Sequence, residues 1–191
     1  MLRYLLLALL WTTMILQQST ADDAVETEAV TETFDKETVL GEASSYFGAG
    51  AEGVASVIEK VFSDFGEPVG FIRGREAGGA IIVGLRYGDG ELVMSDGFTS
   101  TMHWQGPSFG FDFGGNASKV FVLVYNLSNV EDIYQRFPGV DGSLYFIGGA
   151  GVNYVKRGDI TLAPIRVGVG WRAGASVGYM KITHDKSWNP F

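Results

Sequence analysis

The densest group of side chains that could do chemistry in this 191-residue chain lies in HWQGPSFGFDFGG, from His103 to Gly115. It sets one of only two histidines beside Trp104, Gln105 and Asp112. An imidazole that titrates near neutrality and a carboxylate to orient it are the parts of general acid–base catalysis. The supporting pieces are missing from the sequence. Serine hydrolysis would need a nucleophile elbow, and no G-x-S-x-G occurs. Catalytic zinc needs a set of protein ligands, whereas His103 and His184 are far apart in sequence and no H-E-x-x-H is present. With no cysteine, thiol nucleophiles and iron–sulfur clusters are excluded. Asp112, Glu76 and Asp141 could meet as a carboxylate pair acting on sugars, but nothing in their spacing brings them together. Gly48-Ala-Gly50-Ala-Glu-Gly53 spells G-x-G-x-x-G, yet it lacks the flanking parallel strands of a dinucleotide site and reads as a glycine-rich helix entrance. The expectation is a chain without enzymatic activity or cofactor. The alternative is a glycan- or lipid-modifying enzyme using Asp112 and His103, or another carboxylate-based hydrolase.

Binding is better supplied. Arg73 and Arg75 fall on one face of a strand, where they could meet an anionic head group; solvated surface charge is the plainer reading. Phe109, Phe111 and Phe113 alternate onto one face near Trp104. They read either as core or as the wall of an apolar pocket with Gln105 and Asp112 as its polar points, which would suit a lipid or a glycan. The candidate binding residues are therefore Trp104, Gln105, Asp112, Arg73 and Arg75.

The elements that must position these residues are mostly strands. All 27 glycines lie after position 40, about 18% of that stretch and well above the usual ~7%, and they punctuate short apolar runs. The pattern predicts strands near 69–76, 80–87, 91–95, 99–105, 109–114, 119–125, 143–155, 160–171 and 174–183. Tyr87-Gly88-Asp89-Gly90, Lys156-Arg157-Gly158-Asp159 and Gln105-Gly106-Pro107-Ser108 are expected as turns, so His103 to Gly115 reads as a hairpin with aromatic residues filling the interior. Val54, Val57, Ile58, Val61, Phe62 and Phe65 form a helical stripe ended by Gly66 and Pro68. A shorter helix should start at Ser128, capped by the S-x-x-E pattern with Glu131, and end before Pro138. AIIVGL and KVFVLVY are apolar on both faces, so something must cover their outside, and the 51–65 helix is the natural cover. The fold class expected is mainly β: a small closed or nearly closed antiparallel barrel with an N-terminal amphipathic helix and one short inserted helix.

Compartment and partners follow from the ends and the charge. Arg3, the apolar run Tyr4–Leu16 and the small residues Ser19 and Ala21 make residues 1–21 a signal peptide cleaved after about Ala21. Its apolar run is too short to span a bilayer of roughly 30 Å. Export without cysteine points to a bacterial periplasm, where Asn116-Ala-Ser118 and Asn126-Leu-Ser128 are coincidental glycosylation patterns. Residues 22–43 carry net charge −7, while residues 44–191 carry −2. Residues 22–45 therefore read as an acidic disordered spacer, and 46–191 as a single barrel domain. A near-neutral body without a basic run argues against nucleic acid.

The strings GLRYGDGEL, HWQGPSFGFDFGG, LVYNLSNVEDIYQRFPGVDGS, APIRVGVGWR and SWNP together resemble the envelope integrity (EipA) family, an uncharacterised-domain family of exported alphaproteobacterial proteins. The likeness runs in order from about Ala51 to Phe191. It implies a small periplasmic β-barrel needed for envelope integrity under stress, with no family catalytic residues to carry over. The family is also distantly similar to SYLF-type lipid-binding domains. The partner expected is an envelope lipid, glycan or envelope protein, met by a chain that does not span the membrane after signal cleavage.

Overall fold

The structure, a computed structural model, describes residues 32–48, 53–112, 117–168 and 178–187. The expected signal peptide and the first part of the expected spacer lie outside these residues. So do Phe113, the end of the expected 160–171 strand from 169 on, and residues 174–177 of the segment read as a 174–183 strand.

Two helices precede the strands. The first, α1 (Lys36–Phe47), corrects the reading of residues 22–45 as a spacer that is disordered throughout. The acids that lead into it obscure a stripe spaced four apart: Val39, Ala43 and Phe47 are all buried. Asp35 caps it by accepting from the Thr38 amide at 2.9 Å. The second, α2 (Val54–Phe65), is the expected amphipathic helix and buries Val54, Val57, Ile58 and Val61. Phe65, included in the expected stripe, is more than one-third exposed but stacks edge-on against Tyr154.

Nine strands follow, paired antiparallel into one sheet among the described residues. They are β1 (Gly70–Met94), β2 (Thr99–Asp112), β3 (Ser118–Tyr125), β4 (Arg136–Pro138), β5 (Tyr145–Ile147), β6 (Ala150–Val152), β7 (Val155–Arg157), β8 (Ile160–Val167) and β9 (Tyr179–Thr183). The order is β4-β9-β2-β1-β3-β8-β6-β5, with β7 also on β8. The early half of β1 pairs with β3 and the late half with β2. Its two halves also lie against each other, Gly70 by Leu92–Met94 and Gly74 by Asp89–Gly90. The barrel is open rather than closed. Among the described residues, β4 and β7 approach each other at one bridge, Gly139 to Val155, with the Val140 amide donating to Tyr154 O at 2.9 Å and Arg157 Nη1 donating to Arg136 O at 3.3 Å.

Alternation along β3 separates two apolar layers. Val120, Val122 and Val124 join Ile72, Leu92, Met102, Phe137, Leu162 and Ile182 inside the barrel. Phe121, Leu123 and Tyr125 face outward into a second layer with Phe71, Ile165 and both helices. KVFVLVY is thus apolar on both faces because it is covered on both. The cover is shared between α2 and the unforeseen α1. Each large side chain in these layers contributes roughly 1.5–3 kcal/mol.

Several local expectations need correction. Tyr87–Gly90 is strand rather than turn, paired with Met102–Gln105. Gln105–Ser108 is also continuous strand inside β2, so His103 to Asp112 does not form a hairpin. Pro107 lies two residues past Gln105, where the β9 ladder ends, so β2 has a ladder on only one side there. The inserted helix is a single 3-10 turn, Val130–Ile133, capped by Asn129 in place of Ser128. Asn129 is one residue nearer the turn and its carboxamide accepts from the Glu131 amide at 3.0 Å. The 143–155 strand breaks into β5, β6 and the start of β7. The Gly158-Asp159 turn between β7 and β8 is as expected, with Gly158 at φ 57°.

Candidate functional site

β1 and β8 each place a charge on an inward-facing position, and the two charges meet. Glu76 shares the face of Ile72, and Arg166 that of Leu162. The Arg166 guanidinium grips the Glu76 carboxylate with both arms, Nε to Oε2 at 2.7 Å and Nη2 to Oε1 at 2.9 Å. Arg86 approaches the same carboxylate at 3.5 Å, and the Trp104 indole N–H donates to it at 2.9 Å. Arg166 also donates to Asn153 Oδ1 at 3.1 Å. Glu76 is 5% exposed. Burial alone would raise its pKa, but the charges of Arg166 and then Arg86, with the hydrogen bonds from Arg166 and Trp104, bring it down to about 2.

Trp104 fits because two glycines leave room for it. A Cβ at Gly88 or at Gly74 would overlap the indole ring. Around this cluster the interior holds a cavity of only about 20 Å³, bordered by Gln105, Pro107 and Tyr179, enough for about one water molecule. Among the described residues, the ion cluster and Trp104 occupy this part of the interior and leave it room for about one water.

Space exists on the outer face. Asp89, His103 and Thr183 stand side by side on β1, β2 and β9, each directly opposite the next in register. With Arg75, Tyr87, Lys186 and Ser187 they line a groove of about 360 Å³, within the range of small-ligand sites. Thr183 Oγ1 donates to Asp185 O at 2.8 Å. The Asp89 and His103 side chains form no hydrogen bond with each other.

The candidates from sequence separate accordingly. Arg73 and Arg75 do share an outward face. Arg73 is spent on Glu91 at 2.9 Å and Glu42 at 3.3 Å, while Arg75 lines the groove. Trp104 and Gln105 are buried, so neither is an open polar point of a pocket. Trp104 sits between the interior cluster and the groove floor. The backbone of Asp112 pairs with Ala80 at the end of β2; its side chain, like those of Phe109 and Phe111, lies outside the described set. Of the three carboxylates considered as a pair, Glu76 is enclosed by cations and Asp141 is exposed on a turn. His184 leaves the groove to stack on Tyr134 and meet Glu131 at 3.2 Å. Among the described residues no three His, Cys, Asp or Glu side chains cluster as metal ligands, and no helix is long and apolar enough to cross a membrane.

Sequence reasoning passed over Arg86 and Arg166, and gave Glu76 a different role. The signal was present: each falls an even number of residues from an apolar inward position of its strand. Asp89 was hidden because YGDG reads as a turn.

The fold and cluster define a class: an open antiparallel barrel with two helices on its outside and an arginine-clamped glutamate at its centre. The chain belongs to the envelope integrity protein A family, whose model matches residues 32–191 and so takes in α1. It is similar to a solved beta-barrel-like, uncharacterised protein from Brucella abortus, at 45% identity and a TM-score of 0.77. The match covers 84% of this chain and 99% of that one. No curated protein matches.

Proposed function

We propose that this chain is a non-catalytic periplasmic protein that supports envelope integrity by holding an envelope lipid, glycan or protein component in the outer groove. The observation that carries the reading is the row of Asp89, His103 and Thr183, three polar side chains in register along a groove of about 360 Å³. The polar lining favours a glycan or a head group over an acyl chain, which would leave Asp89 and Arg75 unsolvated. The absence of a hydrogen bond between Asp89 and His103, and the use of the Thr183 hydroxyl on Asp185, favour binding over catalysis. Family membership supports the envelope role, and the first residues of the sequence support export.

Thermal unfolding of the purified chain with soluble glycans and short-chain lipids tests this. A ligand that binds only the native state, at a hundred times its Kd, adds about 2.7 kcal/mol, or roughly 5–10 °C. The ligand should be recovered chemically unchanged. Absence of any shift would remove the groove as a glycan or lipid site, and turnover of the ligand would remove the non-catalytic reading.

A further inference from the structure

Resting on the groove as the binding site, we infer that its ligand is an uncharged sugar whose neighbouring hydroxyls bridge Arg75 and Asp89. The two halves of β1 run antiparallel against each other, and contacts at its glycines give their register. Gly70 meets Leu92–Met94, Gly74 meets Asp89–Gly90, and Gly78 meets Leu85–Arg86. That register sets Arg73 opposite Glu91 and Arg75 opposite Asp89, all on the outward face. Arg73 and Glu91 close into an ion pair at 2.9 Å. Arg75 and Asp89, one step along, stand side by side, yet among the described residues no ion pair joins them. Theirs is the pair that borders the groove.

An acid and a base held side by side in this way offer an acceptor and a donor at neighbouring points. Two adjacent hydroxyls match both. One donates to the Asp89 carboxylate, the other accepts from the Arg75 guanidinium, and both bonds are of the stronger, charge-assisted kind. A charged ligand fits less well. An acid on Arg75 would sit beside Asp89, and an amine on Asp89 beside Arg75, so either meets a like charge. Lys186, the other cation of the lining, already has a partner and does not tip the balance toward an acid. His103, opposite Asp89 on β2, extends the row with an imidazole that can serve a third hydroxyl. Tyr87 adds an aromatic side chain to the lining, suited to the apolar face of a sugar ring.

Calorimetric titration of the purified chain tests this with an uncharged disaccharide, di-N-acetylchitobiose, and an acidic one, N-acetylglucosaminyl-N-acetylmuramic acid. The uncharged sugar should bind at least as tightly as the acidic one. Arg75→Gln and Asp89→Asn should each weaken it about tenfold, the loss of one charge-assisted hydrogen bond. The double variant should lose less than the product of the two, because both groups hold one hydroxyl pair. Arg73→Gln should leave binding unchanged, and circular dichroism checks the fold of each variant. Tighter binding of the acidic sugar, or an affinity unchanged in both single variants, would overturn the inference and leave the groove reading standing. Binding of neither sugar would overturn both.

Discussion

Replacing Glu76 by Gln keeps the shape of the interior cluster and removes its one negative charge. Arg166 and Arg86, whose side chains are 12% and 15% exposed, are then left facing a neutral amide. Breaking a buried pair by removing one partner costs about 3–5 kcal/mol. The titration of Glu76 gives a second estimate. Its carboxyl titrates at about 2 in the fold against 4.5 when unperturbed, a difference of about 3 kcal/mol at neutral pH. Because the folded value is the lower one, this stability is complete above about pH 4.5 and is lost as pH falls toward 2. The assay is urea denaturation of wild type and E76Q from pH 7 to pH 2.5. The gap between them should be about 3 kcal/mol at pH 7, begin closing below pH 4.5 and be small at the acid end. Taking the difference cancels the other carboxylates. A gap below 1 kcal/mol at neutral pH, or one that does not change with pH, would refute the reasoning.

Other perturbations have distinct outcomes. Gly88→Ala forces a methyl group into the Trp104 ring, so it should lower stability by about 1–3 kcal/mol and alter tryptophan fluorescence, read by thermal melting with emission spectra. Phe47→Ala removes an aromatic anchor of α1 from the outer layer and should cost about 3 kcal/mol in denaturant unfolding; no loss would mean that α1 is not docked. Arg73→Gln, at an exposed pair of ion bridges, should change stability by less than about 1 kcal/mol at 0.15 M salt.

Much of the architecture was legible in the residues. The 3-1-3 spacing of Val54, Val57, Ile58 and Val61 specifies α2, and the two-sided apolar KVFVLVY anticipates a strand covered on both faces. What misled was glycine. In YGDG and QGPS it suggests turns, yet these glycines lie within strands, and Gly88 makes room for an indole that sequence cannot place there. The stripe of α1 was masked because the acids just before it, Asp22 to Asp35, dominate the composition of residues 22–43, although Val39, Ala43 and Phe47, four apart, are enough to dock a helix. The cluster was hidden for a different reason. Glu76, Arg86, Trp104 and Arg166 are scattered over ninety positions and meet only through the β1–β3–β8 and β1–β2 registers. Such long-range pairing has no local signature.

The most direct measurement is an amide NMR titration of the isotopically labelled chain with a soluble sugar, di-N-acetylchitobiose. Shifts confined to Arg75, Tyr87–Asp89, His103 and Thr183–Ser187, with Ile72, Val122 and Leu162 unmoved, are the expected result. Shifts centred on those barrel-interior residues would contradict a site on the outer face. An unchanged spectrum at saturating sugar would contradict the groove.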